Sequence, residues 1–115
     1  MRSKEIMYNQ EVYSPQGTIN ESNQKKFQQQ LLSFINNTKN RDILVDFQQV
    51  EFVDGSGLVA LVNAYNEAKN QSKNFYLFNV SPSVKMIFEI SQLDKVLGIR
   101  EFNYDRITDN DPLAA

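Results

Sequence analysis

Ile43-Leu44-Val45-Asp46-Phe47-Gln48-Gln49-Val50-Glu51-Phe52-Val53-Asp54-Gly55-Ser56-Gly57-Leu58-Val59-Ala60-Leu61-Val62-Asn63-Ala64-Tyr65 decides the fold of this chain. Its first five residues are a compact run rich in β-formers, the pattern of a central strand. Residues 50–53 form a second short apolar run that leads into Asp54-Gly55-Ser56-Gly57. Four small or polar residues between apolar segments mark a turn. The spacing then changes to that of a helix over residues 57–70, with Leu58, Leu61, Val62, Tyr65 and Ala68 as its buried stripe. Val59, Ala60 and Asn63 fall off that stripe. Strand, turn and helix in this order predict an α/β domain.

Outward from this segment the alternation continues. Downstream, residues 75–80 read as a strand. Ser81-Pro82-Ser83 opens a third helix, with Pro82 in its first turn and Val84, Ile87 and Phe88 facing inward. Leu93, Val96, Leu97 and Ile99 lead to a last strand expected near residues 101–104. Upstream, residues 5–8 and 11–14 read as two short strands joined by a tight turn. Pro15 lacks an amide donor, so the second of these is an edge strand or ends there. Asn20 or Ser22 is placed to cap a helix running to about Asn36, with Phe27, Leu31, Phe34 and Ile35 on one face. Residues 1–104 are therefore expected to form one domain. Residues 105–115 are polar and aperiodic and are expected to be a loose tail.

Composition narrows the chemistry. The chain has 115 residues, enough for one core. Twelve basic and fourteen acidic residues leave a net charge of −2, and no basic stripe suggests nucleic acid. There is no cysteine and no histidine. Zinc ribbons, thiol nucleophiles and Ser-His-Asp triads are thereby excluded. No metal site and no cofactor is expected. The N-terminal stretch lacks an apolar signal core, and no apolar run is long enough to span a bilayer. A cytoplasmic location is the expectation.

The turn at residues 54–57 is where chemistry concentrates. Ser56 is expected at or near the start of the following helix, with flanking glycines that let the chain turn sharply and keep its hydroxyl uncrowded. Two readings fit. Ser56 is a helix cap, stabilising by about 1 kcal/mol. Or Ser56 accepts a phosphate, which would meet free amides and the positive end of the helix dipole. Asp54 likewise either caps the turn or orients the Ser56 hydroxyl. A hydrolytic role is disfavoured, because no imidazole accompanies the pair. The protein is not expected to be an enzyme.

Asp54-Gly55-Ser56-Gly57-Leu58 resembles the Asp-Ser-Ser-Gly-Leu signature of bacterial anti-sigma factor antagonists, the STAS domains. The likeness extends along the chain. Leu44-Val45-Asp46-Phe47 resembles the family's central strand, and Leu61, Ala64-Tyr65 and Ala68-Lys69 its following helix. Residues 78–84 resemble its strand-to-helix joint, Leu93-Asp94 with Val96-Leu97 its closing segment, and Gly17-Thr18-Ile19-Asn20 the turn before its first helix. The resemblance implies a mixed sheet of about four to five strands covered by about three to four helices.

It also implies a mechanism. The unphosphorylated antagonist binds an anti-sigma factor that is a serine kinase, and so frees a sigma factor. Phosphorylation releases the kinase, and a metal-dependent serine phosphatase resets the cycle. Carried onto this chain, Ser56 is the phosphate acceptor. Asp54, Gly55, Gly57, Leu58, Val59 and Asn20 form the partner-binding set. Transcription would be regulated indirectly. Three features depart from the family: Gly55 stands where serine, threonine or alanine is usual, Asn20 stands for aspartate, and the segment after Tyr104 is short and polar. The alternative is a static adaptor of the same fold, in a signalling scaffold or a lipid-transport complex, with Ser56 only a cap.

Overall fold

The computed structural model describes residues 5–7 and 10–100. The order is β1 (Glu5–Met7), β2 (Gln10–Tyr13), β3 (Gln16–Ile19), α1 (Gln24–Asn37), β4 (Asp42–Asp46), β5 (Gln49–Val53), α2 (Gly55–Asn70), β6 (Asn74–Phe78), α3 (Pro82–Ile90), a 3-10 turn at Leu93–Lys95, and β7 (Gly98–Arg100). Five strands form one mixed sheet in the order β1-β2-β4-β6-β7, with only the β1–β2 pair antiparallel. The expected central strand is thus central. Residues 43–47 are all buried, as a mid-sheet strand with both faces covered requires.

Alternation along the strands divides the apolar residues between two faces. Ile43, Val45, Phe75 and Leu77 join the large cluster that also takes Phe27, Leu31, Phe34 and Ile35 of α1, Leu61 of α2, and Val84 and Phe88 of α3. Val12, Leu44 and Phe78 form a smaller cluster, with Tyr76 packed against it.

The remaining strands make a second sheet that the sequence patterning does not announce. β3 pairs in parallel with β5, Ile19 opposite Val53, with an irregularity between Gly17 and Thr18. Residues 16–19 carry a single strongly apolar side chain, Ile19, and Gly17 sits at φ 79°, so no alternation betrays the strand. Because β3 and β5 run in parallel, their C-terminal ends lie side by side. The turn after Ile19 therefore meets the start of α2. The backbone N–H of Asp54 donates to the Ile19 carbonyl at 3.0 Å and extends this pairing by one step.

Several expectations are corrected. α2 begins at Gly55 rather than at Gly57, with Asp54 as its cap, one of the two roles expected for that residue. The buried residues of α2 are Gly57, Ala60, Leu61, Ala64 and Ala68, so Ala60 belongs to the core side. Two neighbours explain the shift: α2 packs on α1 as well as on β5 and β6, and alanines at that contact let the two helices approach closely. Neither Asn20 nor Ser22 caps α1, which starts at Gln24 after Asn23. Of the two readings at Pro15, β2 ends before it and is not an edge strand. The last described strand is Gly98–Arg100. Residues 101–104 and the expected tail, 105–115, lie outside the described residues.

Candidate functional site

The site is built where two strand ends and one helix start converge. The Asp54 backbone is extended, at φ −93° and ψ −175°, and its carboxylate turns back over α2. Oδ1 accepts the Gly57 N–H at 3.0 Å, the N-cap bond that satisfies one of the helix's free first-turn amides. Oδ2 accepts the backbone N–H of Glu21 at 3.1 Å, from a residue 33 positions away. One carboxylate thus caps α2 and ties the turn at residues 20–23 to it.

That turn has its own bonding. Asn20 Oδ1 accepts the Ser22 N–H at 3.0 Å and the Ser22 hydroxyl at 2.7 Å, closing an Asx turn. Asn23 Oδ1 accepts the Asn20 N–H at 2.8 Å, and its Nδ2 donates to the Thr18 carbonyl at 2.7 Å. The Asn20 carbonyl accepts the Gln24 N–H at 2.7 Å at the entrance to α1. Asn20 and Asn23 so use their side chains on the turn itself, which delays the helix to Gln24.

Ser56 lies two residues inside α2. Its side chain is half-buried and makes no hydrogen bond among the described residues. No hydrogen bond joins it to Asp54, whose carboxylate oxygens accept the Glu21 and Gly57 backbone amides. The two glycines differ sharply. A Cβ at Gly57 would fall 2.7 Å from Val53 Cγ1, 2.8 Å from Ile19 Cγ2 and 3.0 Å from the Ile19 carbonyl oxygen. Gly57 is the space into which the end of β3 fits. A Cβ at Gly55 would meet nothing within 4 Å, and Gly55 has no positive φ. Gly55 is therefore not what turns the chain.

Exposed apolar side chains stand near the turn. Val59 is 59% exposed, one helical turn from Ser56 on the same side of α2. Phe52, just ahead of the turn, is 49% exposed. Leu58 is half-buried against the core. Asn63 Nδ2 donates to Gln28 Oε1 at 3.2 Å, linking the outer face of α2 to α1. The structure thus brings together Asn20, Asp54, Gly55, Ser56, Gly57 and Val59. The sequence reading missed the Glu21 amide and Ile19. No local signal marks a backbone amide recruited from the other strand's end.

A groove of about 490 Å³ runs between β2 and α1, lined by Glu11, Tyr13, Gln30 and Phe34 among others. None of the residues just named at the helix start lines it. Among the described residues no group of His, Asp or Glu is arranged to hold a metal, and no helix is long and apolar enough to cross a membrane.

Comparison with known proteins agrees with this architecture. The chain is 30% identical over 61 residues to the anti-sigma-B factor antagonist of Staphylococcus aureus (strain NCTC 8325 / PS 47), a match covering 53% of this chain and 56% of that protein. The chain thus spans about half the length of the curated relatives it matches. The anti-sigma-factor antagonist (STAS) domain protein of Planctomyces limnophilus superposes with a TM-score of 0.72 at 20% identity, covering 89% of this chain and 91% of that one. The anti-sigma factor antagonist SpoIIAA, in its unphosphorylated form, superposes with a TM-score of 0.64 at 16% identity, covering 89% of each. The family model for the STAS domain matches residues 4–105, and the chain belongs to the STAS domain family.

Proposed function

We propose that this protein is an anti-sigma factor antagonist whose binding to an anti-sigma serine kinase is switched by phosphorylation of Ser56. The observation that carries the reading is the place of the Ser56 hydroxyl. It stands at the second position of α2, makes no hydrogen bond within the described residues, and is not needed as a cap because Asp54 fills that role. A serine used only as a cap would bond its own helix; this one is left available.

The face around it suits docking. Val59 offers exposed apolar surface one turn from the hydroxyl, Phe52 is exposed just ahead of the turn, and Asn20 lies across the Asp54 bridge. In the unphosphorylated state the kinase covers this face. In the transfer step Ser56 Oγ attacks the γ-phosphorus of ATP held by the kinase. The Oγ–P bond forms as the bond to the β,γ-bridging oxygen breaks; ADP leaves, and the hydroxyl proton passes to a base of the kinase. The product carries about −1.5 to −2 charges. The helix start tolerates them, since its dipole and free amides favour an anion. An apolar docking face does not, since the dianion must stay hydrated. A metal-dependent phosphatase, adding water across the phosphoester, restores the hydroxyl.

The test uses the purified chain, ATP and the anti-sigma serine kinase of the same genome. One phosphate is added to the wild type and none to Ser56→Ala, read by intact mass. Ser56→Glu weakens kinase binding by at least about tenfold. A kinase that binds the chain without modifying Ser56 defeats the switch. Unchanged binding by Ser56→Glu leaves a static adaptor of the same fold.

A further inference from the structure

The Asp54 carboxylate holds two parts of the molecule at once, and it stands two residues from Ser56. Its Oδ1 bond to Gly57 is partly buried within α2. Its Oδ2 bond to the Glu21 amide is exposed and reaches across to the turn before α1. Behind it, the Asp54 N–H bond to the Ile19 carbonyl keeps the ends of β3 and β5 paired whatever the side chain does. The carboxylate therefore governs only what lies beyond Ile19, the turn that carries Asn20.

We propose that Asp54 is a positioning residue that couples Ser56 to this turn. A phosphate on Ser56 drives the Asp54 side chain off the Glu21 amide and unties the turn at residues 20–23 from the start of α2. The inference rests on the phosphorylation reading above and adds how the signal spreads. Two effects act together. The phosphate oxygens compete for the first-turn amides that Asp54 now shares, because an anion at a helix start is drawn to the same donors. The new charge also repels a carboxylate anchored within the same turn of helix. α2 has no other acidic residue in its first turn, so Asp54 is the acid there that must respond. The strand ends stay paired through Ile19 and the turn keeps its own bonds and its bond to Thr18; what is lost is its Asp54 link to α2. Both portions of the docking face, the α2 start and the Asn20 turn, then change with one modification.

The test needs no kinase. Phosphoserine is placed at position 56 during synthesis, and amide hydrogen exchange is followed by NMR. Exchange at Glu21 is expected to quicken about tenfold, while the core amides of Leu44 and Val45 keep their rates. The second chain is Asp54→Ser. Serine caps a helix as well as aspartate does but has one oxygen, so it keeps the Gly57 bond and gives up the Glu21 bond. Glu21 in Asp54→Ser exchanges fast already, and phosphoserine at position 56 adds nothing further. The inference is overturned by three results: Glu21 exchange unchanged by the phosphate, an equal acceleration in the Asp54→Ser background, or core amides quickening in step with Glu21. Its failure is distinct from failure of the switch. A turn that responds in a chain that no kinase modifies leaves the coupling standing and removes the proposed function.

Discussion

Gly55 and Gly57 flank Ser56 symmetrically in the sequence and do opposite things in the structure. A methyl group at Gly57 has to displace Val53 and Ile19, both buried, and one of its contacts is a backbone oxygen that pairs β5 with β3. Gly57→Ala is expected to destabilise by about 1 to 3 kcal/mol, the usual cost of forcing atoms into a filled core. Gly55→Ala puts its methyl into open space on a helical backbone. It should stabilise by about 0.4 to 1 kcal/mol, because the unfolded chain loses freedom and the folded chain loses nothing. Urea unfolding of both variants checks the pair, and destabilisation by Gly55→Ala would contradict the geometry. Gly55 is thus no weakness in the turn itself. Asp54 sets that turn through its two hydrogen bonds.

Elements are tied together at their ends as much as by their faces. α1 ends at Asn37 with no basic residue in its last turn, so its carbonyls lack a local cation. Lys73, at the entrance to β6, supplies one. Its Nζ donates to the Ile35 carbonyl at 2.6 Å and to the Thr38 carbonyl at 3.2 Å. The charge sits at the negative end of the α1 dipole, and the bonds satisfy oxygens the helix cannot. Lys73→Met keeps the stem and removes the ammonium; stability should fall by about 1 kcal/mol, measured by chemical denaturation. A loss that vanishes in the wild type at high salt would show a purely screened surface effect instead. α3 is capped within its own sequence: Ser81 Oγ accepts the Val84 N–H at 3.3 Å, and Pro82 stands in the first turn, as expected.

At the scale of the whole molecule the sheet and α1 close over Tyr13. It is 1% exposed, flanked by Phe27 and Phe34 at ring-centroid distances of 6.3 and 5.9 Å, and its hydroxyl donates to Gln30 Oε1 at 3.1 Å. Burial pushes its pKa up from 10.0 to about 12. The folded state holds the phenol neutral while the unfolded chain ionises, so the unfolded state binds fewer protons in this window. The associated stability is complete below pH 10.0 and is lost as pH rises toward about 12. The loss is on the order of 2 to 3 kcal/mol. Tyr13→Phe should show a shallower fall of unfolding free energy across that range, against the same background of other alkaline titrations. An identical slope in both proteins would mean that the phenol titrates normally.

Much of this architecture was legible residue by residue. The central strand, the apolar face of α1, the helix following the turn at residues 54–57 and the start of α3 at Ser81-Pro82 rest on short-range periodicity and on turn chemistry, which a chain displays locally. The same holds for Ser56 standing near a helix start. The rest depends on contacts that no local pattern carries. β3 has one strongly apolar residue and becomes a strand only because β5 is there to pair with it. Ala60 turns inward because α1 lies against α2. Asp54 reads as a cap for its own helix, and its second oxygen is committed only when parallel pairing brings Glu21 from 33 positions away. The sequence by itself determined the alternation of strands and helices, β3 excepted, and the hydroxyl at the head of α2. Tertiary structure alone decided that Asn20, Asp54 and Ser56 share one surface, because a carboxylate with two acceptors records no partner in its own neighbourhood until the fold supplies both donors.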